Sequence, residues 1–141
     1  MNIRPYHPAD EDAVVQLWED CGLTRPWNDP HKDIARKLTQ QPELFLVGEV
    51  AGELMASAMA GYDGHRGSVH YLAVAPAYQA QGHGRQMLEA VEQRLFALGC
   101  PKLNLLVRTS NERTLAFYRS LGYGTDDVFS LGKRLIPDLP D

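Results

Sequence analysis

Two glycines in front of a predicted helix are the first residues that point to chemistry. Gly82 and Gly84 lie in "VAPAYQAQGHGRQMLEA", where a strand gives way to an amphipathic helix, and no Ser, Thr, Asp or Asn stands ready to cap that helix. His83 and Arg85 occupy its start in place of acidic residues, and their positive charge opposes the helix dipole unless an anion binds there. Free N–H groups and the dipole together favour phosphate, so we predict that this turn binds a pyrophosphate.

The same turn has a purely structural interpretation. Water can cap the helix, and the glycines can serve tight packing. Other phosphate motifs fit less well: Met87 replaces the third glycine of G-x-G-x-x-G, and the chain has no G-K-[ST] sequence for a nucleoside triphosphate.

An asparagine and a tyrosine in a later helix form a second candidate pair. Tyr118 follows Asn111 by seven residues, close to two helical turns, so we expect both to project towards the same side. Their structural interpretations are an N-cap for Asn111 and a core aromatic residue for Tyr118, which Leu115 and Leu121 flank.

The elements that must position these residues follow from hydrophobic periodicity and turn signals. We predict a short strand at "NIRPY", a helix over 8–21, and a helix that opens at Asp29-Pro30 and stops before Pro42. Strands follow at "LFLVGEV" and "ELMASAMAGY", then a two-residue hairpin at Asp63-Gly64 leads into "GSVHYLAVAP". A helix from Gly84 to Leu98, a strand at "KLNLLV", a helix at "ERTLAFYRSL" and one or two strands in "YGTDDVFSLGKRLI" complete the order β-α-α-β-β-β-α-β-α-β-β. This order predicts an α/β fold with a mixed sheet and helices on both faces.

Composition restricts the class of protein. The 141 residues suit one domain, and 44% apolar with 23% charged residues is ordinary for a soluble globular chain. A net charge of −4 argues against a nucleic-acid partner. No apolar run is long enough for a membrane, no signal peptide is recognisable, and two cysteines without C-x-x-C spacing fit a reducing compartment. We therefore expect a cytoplasmic protein with neither membrane nor nucleic-acid partners.

The sequence resembles a known family. Gln79, Gly82 and Gly84 spell Q-x-x-G-x-G, which is similar to the acetyl-coenzyme A loop of the GNAT acetyltransferase superfamily. "LNLLVRTSNERTLAFYRSLGY" resembles that superfamily's second signature, and "GYDGHRG" with "RPWNDP" resembles its small bacterial YpeA-type members. The resemblance covers nearly the whole chain. It implies a single GNAT domain over residues 1–141 and an N-acetyltransferase that moves an acetyl group from acetyl-CoA to a primary amine by direct attack on the thioester.

The resemblance also assigns roles to the donor side of the site. It implies that backbone N–H groups of the loop, Ala80, Gln81, Gly82, His83, Gly84 and Arg85, hold the pyrophosphate, with Gln79 at the head of the motif. The pantetheine arm would pair with the backbone of Leu72, Ala73 and Val74, as a strand added to an open sheet edge. Asn111 would contact the same arm, and Tyr118 would give a proton to the leaving thiolate.

The general base departs from the family pattern. Protein N-terminal acetyltransferases of the superfamily commonly place a glutamate five positions before the motif asparagine, and that position is Leu106 here. The resemblance to arylalkylamine acetyltransferases suggests His70, two residues before "LAV", as a substitute. Glu49, Asp63 and a water relay remain alternatives, and an amine that arrives neutral needs no base.

The acceptor side is expected in two loops. "LTRPWNDP" places Trp27 near Arg25 and Asp29, where Trp27 either lines the acceptor cleft or packs between two helices. In "GYDGHRG", Asp63 and His65 either contact substrate or make the hairpin turn. His65 and His70 are five apart on a predicted strand and face opposite ways, so we predict no metal site.

Two other classes of function stay open. One is a non-catalytic acyl-CoA binding or regulatory module, which the replacement of the family glutamate by Leu106 favours. The other is a phosphate-binding module unrelated to acyl transfer. The acceptor amine, a small molecule or a peptide, is not specified by these motifs, and the resemblance leaves a homodimer open because many relatives pair.

Overall fold

The computed structural model describes residues 1–138 of the chain. Its strands are β1 (Asn2–Pro5), β2 (Phe45–Val50), β3 (Glu53–Tyr62), β4 (Gly67–Val74) and β5 (Leu103–Asn104). Its helices are α1 (Glu11–Asp20), α2 (Pro30–Lys37), α3 (His83–Ala97) and α4 (Glu112–Ser120). Single turns of 3-10 helix precede α1, β2 and α3. No helix within the described part of the chain is long and apolar enough to cross a membrane.

The five strands form one mixed sheet in the order β1-β2-β3-β4-β5. Neighbours from β1 to β4 run antiparallel, whereas β5 runs parallel to β4 and pairs with it only at Gly67 and Ser68. The predicted α/β class with a mixed sheet is confirmed. Because β5 pairs with so little of β4, the later residues of β4 have no described strand on that side.

Contact clustering divides the chain into two compact units. One holds residues 1–105 together with Asp138, and the other holds residues 106–137. The sheet and helices α1 to α3 belong to the first unit, and α4 belongs to the second. The expectation of a single domain across residues 1–141 stays a prediction.

Apolar side chains from both faces of the sheet build the core of the first unit. Val14, Trp18, Ile34, Phe45 and Val47 form a buried cluster between α1, α2 and one face of β2. On the other face, a Cβ added to Gly67 would come within 2.9 Å of Leu95 of α3, so that helix presses directly on β4. Helices therefore cover both faces of this sheet, as expected.

The two hairpin turns differ in length. Ala51 and Gly52 join β2 to β3 with φ of 52° and 80°, as a two-residue turn requires. The predicted two-residue turn at Asp63-Gly64 is wrong, because Tyr62 pairs with Gly67 and four residues lie between the strands. One carboxylate oxygen of Asp63 accepts hydrogen bonds from the N–H groups of His65 (2.8 Å) and Arg66 (2.7 Å), and these bonds stabilise the longer loop.

The end of the chain is less regular than its apolar pattern predicts. The predicted strand "KLNLLV" is reduced to Leu103–Asn104, and the described residues after α4 contain no helix or strand. A strand needs a hydrogen-bonded partner, and no described strand pairs with residues 123–136. Several large apolar side chains there are exposed as a result, namely Val128, Phe129, Leu131, Leu135 and Ile136.

Candidate functional site

The turn before α3 has the backbone geometry that the sequence led us to expect. Gly82 is the N-cap residue with φ of 85°, and Ala80 also has a positive φ of 60°. No side chain among residues 1–138 makes a capping hydrogen bond to this helix, and its first turn contains no acidic residue. The first helical bond of the turn runs from Gln86 N–H to the carbonyl of Gly82 at 3.1 Å. The amides that precede Gln86 in the helix therefore remain available to an anion.

Side chains of the loop bind to their own surroundings. Gln79 donates from Nε2 to the carbonyl of Val74 at 2.9 Å, which joins the head of the loop to the end of β4. Arg85 forms an exposed pair with Glu89 one turn later, at 2.9 Å between Nε and Oε1. Such a surface pair contributes only about 0.3–0.5 kcal/mol, so Arg85 can turn towards an anion at small cost.

The end of β4 offers backbone groups on the side away from β3. Ala75 N–H bonds to the carbonyl of Met55 at 2.8 Å, and Val74 is opposite Ala56. The alternation of an antiparallel ladder then turns the N–H and C=O of Ala73 towards β3 and those of Val74 away from it. The Val74 carbonyl already accepts bonds from Cys21 Sγ (3.2 Å) and from Gln79. Within the predicted Leu72–Val74 segment, the Val74 N–H is thus the clearest donor for an added strand.

A β-bulge interrupts β4 just before this segment. Ser57 pairs with Ala73, but Met59 pairs with His70, so the register shifts by one residue between them. Tyr71 lies in the bulge and has a left-handed φ of 52°. Such a conformation costs about 1–3 kcal/mol in a non-glycine residue and must be stabilised by its neighbours.

Three side chains of the core hold the bulge. Trp18 donates from Nε1 to the hydroxyl of Ser57 at 2.9 Å, and Ser57 donates to the carbonyl of Tyr71 at 2.7 Å. The rings of Trp18 and Tyr71 stack with centroids 3.8 Å apart. The motifs in the sequence do not predict this role of Ser57, although its hydroxyl is the single one within the apolar run "LMASAMA" and is a signal for it.

A charged network continues from the same tyrosine. The Tyr71 hydroxyl donates to Asp33 of α2 at 2.6 Å, and Arg36 contacts the other oxygen of Asp33 at 2.7 Å. Arg36 also forms a bidentate pair with the buried carboxylate of Asp138, at 3.0 and 2.8 Å. Asp138 accepts in addition from the backbone N–H of Asp29 at 2.9 Å. Burial and Asp33 raise the pKa of Tyr71 well above 10, so its hydroxyl remains a donor.

His70 lies next to this network. The residue is exposed, yet protein atoms crowd its imidazole, and this desolvation lowers its pKa below 6.5. The nearby charge of Asp33 raises that pKa and the charge of Lys37 lowers it. His70 is therefore largely neutral at pH 7, which is the protonation state that a general base requires.

The alternative bases are less suitable. Glu49 accepts hydrogen bonds from Asn2 (3.0 Å) and Arg4 (3.4 Å), which lower the pKa of its carboxyl. Backbone bonds from Arg66 and His65 do the same to Asp63. A carboxyl with a lowered pKa is a weaker base, so both are poorer candidates than His70.

The acceptor-side residues are only partly placed by these contacts. Asp29 caps α2 by accepting from the N–H groups of His31 and Lys32 (2.9 and 3.3 Å), as predicted. The Trp27 side chain is 49% exposed, which leaves its contact with an acceptor a prediction.

His65 lies in the loop between β3 and β4 rather than on a strand, which corrects the reason given against a His65–His70 metal pair. No group of three or more metal-ligating side chains occurs within residues 1–138.

The unit of residues 106–137 contains the other two predicted site residues. The Asn111 side chain accepts from the N–H of Thr114 at 3.1 Å, so it caps α4 as predicted. Tyr118 is buried, with its ring 5.8 Å from that of Tyr123, and burial raises its pKa to about 12. Leu106, at the position of the family glutamate, is exposed.

Comparisons with known proteins agree with these features. Residues 11–123 match the model of the acetyltransferase (GNAT) family. Acetyltransferase YE1169 of Yersinia enterocolitica is 50% identical over 138 residues, which is 98% of each protein. The ribosomal-protein-S18-alanine N-acetyltransferase from Escherichia coli superposes with a TM-score of 0.71 at 28% identity, over 86% of this chain and 76% of that one.

A further solved structure shows similarity of fold alone. N-acetylglutamate synthase from Neisseria gonorrhoeae, solved with coenzyme A and L-arginine, has a TM-score of 0.71 at 20% identity. The match covers 89% of this chain and 28% of that one. The family model and the relative of 50% identity both span most of the sequence. The chain therefore belongs to the GNAT family and is an N-acetyltransferase.

Proposed function

We propose that the chain transfers an acetyl group from acetyl-CoA to a primary amine, which attacks the thioester directly. The observation that carries this proposal is the start of α3, where a left-handed glycine precedes amides that no described side chain caps. These groups fit a diphosphate, which needs several N–H donors at a helix N-terminus. The Val74 N–H, which points away from β3, fits an amide-rich arm that adds beside β4.

The reaction needs two proton movements. Acetyl-CoA supplies an activated acyl group, to which the amine nitrogen forms a new bond while the carbon–sulfur bond breaks. His70, neutral at pH 7, takes the proton that the amine loses, directly or through water. Tyr118 gives its phenolic proton to the departing thiolate and regains one from solvent.

The raised pKa of Tyr118 is compatible with this role. At a pKa of about 12 the phenol is protonated throughout the physiological range. Transfer to a thiolate of ordinary pKa near 8.5 is uphill by about 5 kcal/mol, at 1.36 kcal/mol per pKa unit. A turnover of about 1–1000 per second corresponds to a barrier of roughly 13–17 kcal/mol. The proton transfer from Tyr118 lies well within this barrier and needs no further activation.

The decisive experiment measures thiol release from acetyl-CoA in the presence of a panel of primary amines. We expect release that depends on the amine, and displacement of bound acetyl-CoA by coenzyme A but not by free nucleoside diphosphates. Binding without thiol release for every amine would instead favour the non-catalytic acyl-CoA module. Equal displacement by nucleotides and coenzyme A would indicate a general phosphate site.

A further inference from the structure

Three polar side chains surround the space over Gly61 of β3. A Cβ built on this glycine would lie 3.7 Å from Lys37 Nζ, 3.6 Å from Gln41 Oε1 and 3.7 Å from Ser68 Oγ. The glycine has an ordinary strand conformation, so backbone geometry does not require it. Its lack of a side chain leaves open the position that a Cβ would occupy beside these three polar groups, and we call this position the recess.

The sheet register places this recess beside the proposed base. Gly61 pairs with Ser68 and Met59 pairs with His70, so Ser68 and His70 lie two residues apart on the same face of β4. Two strand residues span about 7 Å. The charge of Lys37 also acts on His70 and lowers the pKa of its imidazole.

The charges around the recess leave one cation without a strong partner. The Lys37 side chain forms no ion pair or hydrogen bond within the described chain, and the charge of Glu43 acts on it only at longer range. The other acidic group on this side of α2, Asp33, already binds Tyr71 and Arg36. Burial lowers the pKa of Lys37 below 10.5, and an ammonium that has lost part of its hydration gains from an anionic ligand.

The polar groups near Lys37 complete an anion site. Gln41 presents its Oε1 at the recess, and this oxygen accepts from the N–H of Tyr62 at 2.8 Å. The Ser68 hydroxyl is a second donor. The Lys37 ammonium and the Ser68 hydroxyl are donors that suit a carboxylate.

We propose that this recess binds the carboxylate of the acceptor, which is therefore a free amino acid rather than a polyamine or a peptide N-terminus. The inference rests on the proposed acetyl transfer and names the acceptor class for it. With its carboxylate at Lys37, an amino acid presents its amine towards His70. His70 lies about 7 Å from Ser68 along β4. A polyamine would instead bring a second cation to Lys37, and like charges repel there.

Matched acceptors test this proposal. Acetyl transfer is measured with L-leucine and isopentylamine, and with L-phenylalanine and 2-phenylethylamine, pairs that differ only by the carboxylate. We expect higher kcat/KM for the amino acid of each pair. Lys37→Met keeps the aliphatic packing and removes the charge, so KM for the amino acids should rise by about 10–100-fold, the range expected for one charge-assisted hydrogen bond. Transfer to the simple amines, measured well above pH 7 where His70 is neutral with or without that charge, should fall much less than transfer to the amino acids.

Two further variants separate binding from folding. Gly61→Ala fills the recess with a methyl group at ordinary contact distance, so the protein should fold and lose the same preference without any change of charge. Lys32→Met removes a charge from another face of α2 and should leave the preference intact. The proposal is overturned if wild type does not prefer the amino acids, or if Gly61→Ala and Lys37→Met retain that preference. Absence of acetyl-CoA binding and of thiol release with every amine would instead overturn the proposed function itself.

Discussion

The hydroxyl of Ser57 lies 2.7 Å from the carbonyl oxygen of Tyr71 and donates a hydrogen bond to it. Ser57 is completely buried, and its oxygen also accepts from Trp18. Because Tyr71 has a left-handed backbone in the bulge of β4, this one hydroxyl connects the core of the sheet to the strand that carries His70.

Replacement of Ser57 by Ala should therefore destabilise the protein. The change leaves the Trp18 N–H and the Tyr71 carbonyl without their partner, and each buried unpaired group costs about 1–3 kcal/mol. Urea denaturation should show a clear loss of unfolding free energy. Ser120→Ala is the control, because the Ser120 hydroxyl donates to the carbonyl of Phe117 on an exposed surface. The unfolding free energy of this variant should change by no more than about 0.5 kcal/mol. Equal stability of the two variants would contradict the assigned role of Ser57.

Gly82→Ala should weaken binding of coenzyme A. A Cβ there meets no other atom within 4 Å, so the cost arises from φ of 85° alone and is about 1–2 kcal/mol. Relief of that strain moves the amides of the turn, and we expect a rise of about tenfold in the Kd measured by calorimetry. Gly99→Ala at the other end of α3 is matched, with φ of 83° and open space around it. It should lose similar stability and keep its affinity; a parallel loss of affinity in both variants would argue against the phosphate site.

His70→Gln should lower kcat/KM by about 100-fold or more. It should also remove the decline of kcat/KM at acidic pH. In the wild type, desolvation places the pKa of His70 below 6.5, so the rate should fall only as the pH drops below that value and the imidazole gains a proton. The measurement is the pH profile of kcat/KM between pH 5 and 9. His31→Gln, at an exposed pair with Glu11, should leave the profile unchanged. A decline that persists in His70→Gln would assign the titration to another group.

Tyr118→Phe should reduce kcat by about 10–1000-fold and leave the affinity for acetyl-CoA nearly unchanged, because it removes a proton donor without a change in packing. With a pKa of about 12, the phenol of wild type should cause no alkaline decline in rate up to about pH 10. The ring of Tyr123 packs edge-on against that of Tyr118. Tyr123→Phe therefore tests whether the effect belongs to the Tyr118 hydroxyl alone. Undiminished turnover of Tyr118→Phe on its best amine would exclude the role.

Local signals in the sequence predicted most of the elements. Apolar periodicity indicated α1 and α3, and the Asp29 and Asn111 caps were correctly identified because an N-cap depends on neighbours two or three residues away. The four-residue loop after β3 was missed because Asp63 bonds to two later amides, which the Asp-Gly signal does not reveal. The expected final strands depended on partners distant in sequence, and strand propensity cannot supply those.

The candidate site was predictable only on its donor side. The loop from Gln79 to Arg85 is continuous in sequence, so its motif could be read directly. The recess over Gly61 combines α2, β3 and β4, and its residues have no common spacing. The β4 bulge likewise arises from tertiary contacts between Trp18, Ser57 and Tyr71.

The pair between Arg36 and Asp138 closes a loop of 102 residues. Contacts of such long range have to form against the entropy of the intervening chain, and helices and hairpins assemble before them. The N-terminal amide of α2 at Asp29 binds the same carboxylate. We therefore expect the contact between Asp138 and α2 to form late in folding, after the sheet beneath this helix.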